Sequence, residues 1–242
     1  MASTPASSGS TFVRLLAALD PAESAAPRPA SAQRLGGWLA WTDAIALSGA
    51  LATSPAADPI AWAPDLTAAA ATARRDADRT RAALVRLLGS DPATAPAPGR
   101  DHSRRAAATR QGASAAGAGA EEGTDFAPFR ARYTAGQQAM EDAVLPLRRR
   151  VRAALAAAGG ARAPLAATDE VLERVMGAQE RTLLATVPRR LERRFDRLRA
   201  AGAPPATWLP AFRQAVRDVA VAELDLRLQP VEGLLAALHR PL

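Results

Sequence analysis

The sequence predicts an all-α protein: a helical bundle of antiparallel hairpins with coiled-coil-like seams, interrupted by a disordered linker. Three observations carry that prediction. Hydrophobic residues make up 48% of the 242 positions but aromatics only 4%, so the apolar content is largely alanine, leucine and valine, which suits closely packed helices. Runs of Val, Ile, Thr and Tyr with the alternation of a strand are absent. Phe126, Tyr133, Met140 and Leu147 recur every seventh residue with Phe129 on the same side, which is the period of a packed helical seam.

The elements follow in order. Residues 1–10 are small and polar and read as a disordered tail. Thr11–Leu19 carries Phe12, Leu15, Leu16 and Leu19 on one side of a short amphipathic helix, and residues 20–30 form a proline-rich link. Ser31–Ala52, SAQRLGGWLAWTDAIALSGALA, is apolar nearly all round and is expected to be a buried core helix. As a membrane span it would place Asp43 near mid-bilayer, at roughly 2.5–3.5 kcal/mol on insertion scales. Gly36, Gly37 and Gly49 weaken it further. Asp43 is therefore expected either as a buried polar group or, with Thr42, as a cap that splits the segment. Asp65–Leu88 reads as a long helix with Ala77, Leu84, Val85 and Leu88 on its apolar face, stopped at Gly89. Residues 11–89 thus form an N-terminal helical region. Residues 90–124 are Ala, Gly, Pro, Ser and Thr with scattered charge and no period, a disordered linker.

Residues 125–242 are expected to form a C-terminal helical bundle. Its first helix, Asp125–Ala158, ends at Gly159–Gly160. Thr168, followed by Asp169 and Glu170, has the signature of a helix start, with Leu172, Val175, Gln179 and Leu183 as the following face. Val187–Gly202, VPRRLERRFDRLRAAG, is the most sharply punctuated stretch. Pro188 suits a first helical turn, Leu191, Phe195 and Leu198 share one face, and Gly202 suits a left-handed stop. Thr207 is placed to cap a helix carrying Phe212, Val216, Val219 and Leu224, in which Glu223 and Arg227 form an i,i+4 pair. Pro230 is placed to open a last short helix. Pro146, Pro188 and Pro230 are equally spaced, and Gly160 and Gly202 follow their prolines at one common distance, the pattern either of a tandem helical repeat or of successive hairpins.

The net charge is +7, and since lysine is absent all 31 basic residues are arginine. Part of that excess is what the codon usage of a GC-rich genome produces. The rest lies on the helical segments 74–86, 124–160 and 161–202 rather than on a tail, which favours an anionic partner surface. The candidate interaction surface is Arg149, Arg150, Arg189, Arg190, Leu191, Arg193, Arg194, Phe195 and Leu198. Its alternative is an ordinary solvated helix face. The absence of cysteine excludes disulfides, thiol catalysis and cysteine–zinc sites. His102 and His239 have no further ligand at metal spacing, and no phosphate-binding glycine loop or nucleophile elbow is present. No cofactor, small-molecule substrate or enzymatic activity is therefore expected. The N-terminal MASTPASSGS lacks a basic region before an apolar core, so a cytoplasmic protein is expected. The stretches at 147–152 and 188–199 are basic enough to contact phosphates, but no aromatic residues interleave with the arginines as a stacking platform would require.

RLGGWLAWTDAIALSGAL, LLATVPRRLERRFDRLR, WLPAFRQAV and AELDLRLQPVEGLLAALHR together resemble a family of proteobacterial proteins of about this length that form a domain of unknown function, the AELDLRLQPVEGL run being the most specific part. The resemblance covers most of the chain outside the tail and linker. It implies no catalytic residues, and it implies a loose association with gene neighbourhoods of OmpA-like and stator-like envelope proteins. The expectation is a non-enzymatic helical adaptor or assembly protein that binds a helical or acidic protein surface or a further copy of itself, with a nucleic-acid-associated protein as the alternative. The linker assignment has a direct check. Limited trypsin digestion should cut first at Arg100, Arg104, Arg105 or Arg110, because a segment that buries little apolar surface cannot offset the entropy of ordering. Early loss of residues 125–240 with those sites intact would contradict the division.

Overall fold

The computed structural model describes residues 10–19, 41–52, 66–90 and 125–239. Nearly all of the expected tail and of the expected linker lies outside these residues. The described residues form helices and no strands: α1 (Thr11–Leu19), α2 (Trp41–Ala52), α3 (Leu66–Gly89), α4 (Ala127–Ala157), α5 (Arg162–Leu184), α6 (Val187–Ala200) and α7 (Pro205–His239).

The bundle is built on α4 and α7. They run in parallel, with Phe126 beside Phe212 at one end and Tyr133 bonded to Glu223 further along. α3 crosses both in the opposite sense: Arg74 meets Glu232, Arg81 meets Asp225, and Leu88 reaches Gly136. α5 returns antiparallel along α4, with Asp169 against Arg148 and Arg181 near Glu141. α1 and α6 pack at the Phe126 end, where Arg197 donates to the carbonyl of Leu19 and so satisfies the C-terminus of α1. The seventh-residue seam is real, since Phe126, Tyr133, Met140 and Leu147 are all buried, and Val151 and Leu155 extend it. Ala77, Leu84 and Leu88 of α3 and Phe12 and Leu19 of α1 join the same core, so the helices on either side of residues 91–124 share one interior.

Glycine permits two of these arrangements. Gly159 and Gly160 both adopt left-handed backbone angles, φ 64° and 56°, which end α4 and turn the chain straight into α5. Gly136 lets α3 approach, because a Cβ there would stand 2.9 Å from Leu88 Cδ2.

Several expectations are corrected. α5 begins at Arg162, not after Thr168: Pro164 falls in its first turn, and Thr168 donates to the Pro164 carbonyl from inside the helix. The face of α5 is displaced as well. Val175 is buried as expected and Gln179 half-buried, but Val171 and Leu184 are buried in place of Leu172, which is exposed, and Leu183, which is 54% exposed. Thr207 and Pro230 do not start helices, since α7 runs unbroken from Pro205 to His239 through Pro210 and Pro230. An interior proline costs about 3 kcal/mol. Burial of Leu228, Val231, Leu234, Leu235 and Leu238 around Pro230, at about 1.5–3 kcal/mol each, outweighs that. Pro146 likewise lies inside α4 while Pro188 lies in the first turn of α6, so the equal proline spacing does not mark a repeated helix start. The apolar segment expected to be a core helix is also different. Its described part, α2, lies on the outside of α5 with Ile45 56% exposed; of the side chains described at 43–52 Ala50 alone is buried, against Val171 and Val175. Asp43 is half-buried in the first turn of α2 rather than buried in the core, a position that favours a negative charge.

The Phe126 end is closed by five rings. Phe195 of α6 sits 5.2–5.8 Å, centroid to centroid, from Phe126, Phe129, Trp208 and Phe212, and is fully buried. Edge-on and tilted ring pairs of this kind add to plain area burial. Phe195→Ala should destabilise the fold by about 3–5 kcal/mol, read from denaturant unfolding. An unchanged unfolding midpoint would show that the cluster does not hold α6 in place.

Candidate functional site

α4 and α5 are joined mainly through charge. Arg148 and Arg152 are one turn apart on α4, and Asp169 and Glu173 are one turn apart on α5, so the pairs face each other across the interface. Arg148 grips Asp169 in a two-pronged contact, Nη2 to Oδ1 at 2.6 Å and Nε to Oδ2 at 3.1 Å. Arg152 Nη1 bridges Asp169 Oδ2 at 3.0 Å and Glu173 Oε2 at 2.6 Å. Burial works against the charge on Arg152, but the hydrogen bonds and charges of Glu173 and Asp169 more than reverse this, so its pKa is raised.

A second cluster lies nearer the start of α4, at Tyr133 and Gln137. Glu223 of α7 is 0% exposed. Its Oε2 accepts from Tyr133 Oη at 2.7 Å, and Gln137 Nε2 donates to both its oxygens at 3.1 Å. Arg227 donates to Oε1 from Nε at 3.0 Å and from Nη2 at 2.9 Å. Gln137 also donates to the Leu184 carbonyl at 3.0 Å, which ties the end of α5 to the same group. A buried carboxylate is tolerated when its lone pairs are met by donors in this way. Burial, then the charge and hydrogen bond of Glu223, push the Tyr133 phenol well above its ordinary value.

Above these clusters a groove of about 470 Å³ opens between α4 and α5 and reaches Arg227. Val144, Leu145 and Gly177 supply its apolar part, and Arg149, Arg174 and Arg181 its outer rim. The clusters beneath it are closed: Asp169, Glu173 and Glu223 already accept from fixed donors, so they position helices and leave the groove as a surface for binding.

The sequence-predicted surface divides in this geometry. Arg149 belongs to the groove, paired to Glu173 at 3.2 Å. Arg150 is exposed at the α3–α4 side. Arg189, Arg190, Arg193 and Arg194 lie on α6, whose Leu191 and Phe195 are buried in the chain's own core and whose Leu198 is half-buried against it. Leu191 and Phe195 are thus corrected from a docking seam to core residues. Tyr133, Gln137, Glu223 and Arg227 were missed as a cluster. The Glu223–Arg227 spacing was visible, but it reads equally well as an exposed i,i+4 pair. The facing Arg148/Arg152 and Asp169/Glu173 pairs offered a clearer signal, since two opposite one-turn spacings on successive helices match.

Among the described residues no group of three or more His, Asp or Glu side chains is placed to hold a metal ion, and no helix is long and apolar enough to cross a membrane. The profile of a family described as a protein of unknown function, DUF3348, matches residues 1–240. The chain belongs to this family. No curated protein and no solved structure matches it.

Tyr133 is the only tyrosine, so its titration can be read without interference. Its folded pKa is raised above the unfolded value of 10.0, so its contribution is fully present below pH 10.0 and is lost as pH rises above it. Alkaline titration followed by phenolate absorbance should show no ionisation of the native protein near pH 10.0, with the phenolate appearing only together with loss of helical circular dichroism. Phenolate formation in the still-folded protein at that pH would show that the Tyr133–Glu223 bond is not formed.

Proposed function

We propose that this protein is a non-enzymatic cytoplasmic adaptor or assembly protein that docks an acidic protein surface on outward-facing arginines of a rigid helical bundle. The observation that carries this reading is the division of the arginines. Arg148, Arg152 and Arg227 are used internally, clamped on Asp169, Glu173 and Glu223. Arg150, Arg174, Arg189 and Arg194 have no ion pair among the described residues; the clamps hold α4 and α5, which carry Arg150 and Arg174, and the buried Phe195 holds α6, which carries Arg189 and Arg194. Charges fixed on a rigid support bind with little reorganisation.

The rival reading is nucleic-acid binding. It is less well supported because Phe126, Phe195, Trp208 and Phe212 are buried against one another, with Phe129 packed on them, rather than presented to stack on bases. The test compares retention of the full chain on immobilised poly-glutamate with its titration by labelled RNA and duplex DNA, each at about 50 and about 200 mM salt. Retention on poly-glutamate that weakens with salt, with little response to nucleic acid, is expected. A variant with Gln at Arg189, which is exposed, and at Arg194, which is half-buried, should melt like the parent, since neither has an ion pair among the described residues and such surface charges contribute about 0–1 kcal/mol each. Nucleic-acid binding that is tighter than poly-glutamate retention and is abolished in this variant would replace the proposal with its rival.

A further inference from the structure

We infer that the groove between α4 and α5 is a docking site for an acidic segment of a protein partner that carries a leucine-sized aliphatic anchor. The inference rests on the acidic-partner reading and assigns it a place.

Gly177 is the first reason. It lies in the middle of α5 without a positive φ, so its backbone conformation does not require glycine. A mid-helix glycine is less favourable than alanine by about 1 kcal/mol. What it provides is space: a Cβ at this position would point toward the groove and meet only the flexible tip of Arg181, at 3.6 Å. Val144 and Leu145 of α4 line the groove with it, so its apolar lining lies beside a gap in α5. That combination suits one aliphatic side chain.

The rim is the second reason. Arg149 and Arg181 are 60% and 57% exposed; Arg149 donates to Glu173 Oε1 from Nε at 3.3 Å and Nη2 at 3.2 Å, and Arg181 stands 3.7 Å from Glu141. Arg174 lines the groove with no ion pair among the described residues. Of the groove's acids, Glu141, Glu173 and Glu180 have arginine partners, which leaves Glu170 as the one uncompensated carboxylate among the described lining groups. Three guanidiniums around an aliphatic gap match carboxylates flanking a leucine. The arginines beneath are already clamped, so the support does not have to reorganise when a partner enters.

The groove does not suit a nucleic acid, because no aromatic side chain lines it and a phosphate backbone makes no use of an aliphatic gap. A second copy of this chain fits poorly as well. Five of its described surface acids, Asp76, Asp78, Glu192, Asp225 and Glu232, are already paired with the chain's own arginines, and the exposed Asp142 and Asp218 accept from Gln138 and Gln214 of their own helices.

The experiment uses the full chain and three probes: a fluorescent peptide alternating pairs of glutamate with leucine, the same peptide with serine for leucine, and a labelled single-stranded oligonucleotide. Binding is read by anisotropy and folding by circular dichroism. The leucine peptide should bind more tightly than the serine peptide. Its affinity should fall about tenfold or more in Gly177→Leu, which fills the gap and improves helix propensity, and equally in Arg174→Glu combined with Arg181→Glu. Arg75→Glu combined with Arg86→Glu, exposed on α3 and outside the proposed surface, should change it by less than about twofold, and Arg189→Glu combined with Arg194→Glu, on α6, should weaken it less than either groove variant. If Gly177→Leu does not fold, the Arg174/Arg181 variant still tests the site. Unchanged leucine-peptide binding in both groove variants, or a loss confined to the α6 variant, overturns the groove while leaving the acidic-partner reading in place. Groove-dependent binding of the oligonucleotide in preference to the peptide overturns both. A concentration-dependent dimer abolished by Gly177→Leu would assign the groove to self-association and overturn the inference.

Discussion

Glu223 is the constraint around which the bundle is arranged. A carboxylate with none of its surface in water survives only if donors surround it, and those donors come from α4 through Tyr133 and Gln137 and from α7 through Arg227. Gln137 extends the same group to the end of α5 through the Leu184 carbonyl. A slip of one residue along α4 or α7 would leave the charge unsatisfied, whereas a slip between two alanine- and leucine-covered faces costs much less. In a bundle whose apolar contacts are thin and repetitive, this polar cluster selects one register.

The second consequence concerns the α4–α5 interface. Most of the other helix contacts close over Leu, Val, Ala and aromatic side chains of a single core. Beside Ala166 and Leu184, which join that core, α4 and α5 are held by Arg148 and Arg152, whose long side chains reach Asp169 and Glu173 across the gap between the two backbones. Gly177 removes a further side chain from the same place. The groove is thus the outer aspect of an ionic contact, and its arginine rim and stiff floor have one physical origin. α2, whose main contact is with α5, covers the far side of that helix with Ala46, Leu47 and Ala50.

The aromatic cluster plays the complementary role at the other end. Phe195 draws α6 onto the starts of α4 and α7, so the most arginine-rich of the described helices is anchored in the core through Val187, Leu191 and Phe195. An amphipathic helix with Leu191 and Phe195 on one side has the composition of a binding seam. Here the partner that buries those residues is the chain itself, and only the arginine side faces outward.

Helical class, the seventh-residue seam of α4, the bounds of α1 and α6, the left-handed stops at Gly160 and Gly202 and membership of a family of unknown function were all legible in the sequence. Each depends on spacing within a single helix, or on residue types with one strong local preference. Residues 125–239 of the C-terminal region, α1 and α3 form one core, and this was not legible, because a boundary drawn from composition says nothing of which faces meet. Nor was the burial of Glu223, since an i,i+4 acid–arginine pair looks the same in water and in a core, and Tyr133 and Gln137, which decide between them, are some ninety residues distant. The displaced face of α5 has the same cause: Leu184 rather than Leu183 turns inward because Asp169 and Glu173 must meet Arg148 and Arg152, and that requirement rotates the whole helix. The prolines inside α4 and α7 follow suit, since the local rule that ends a helix at proline yields when apolar side chains on both sides are buried by other helices. Local periodicity determined which segments are helices; long-range burial, which depends on the environment each face meets, decided how they turn and which charges remain outside.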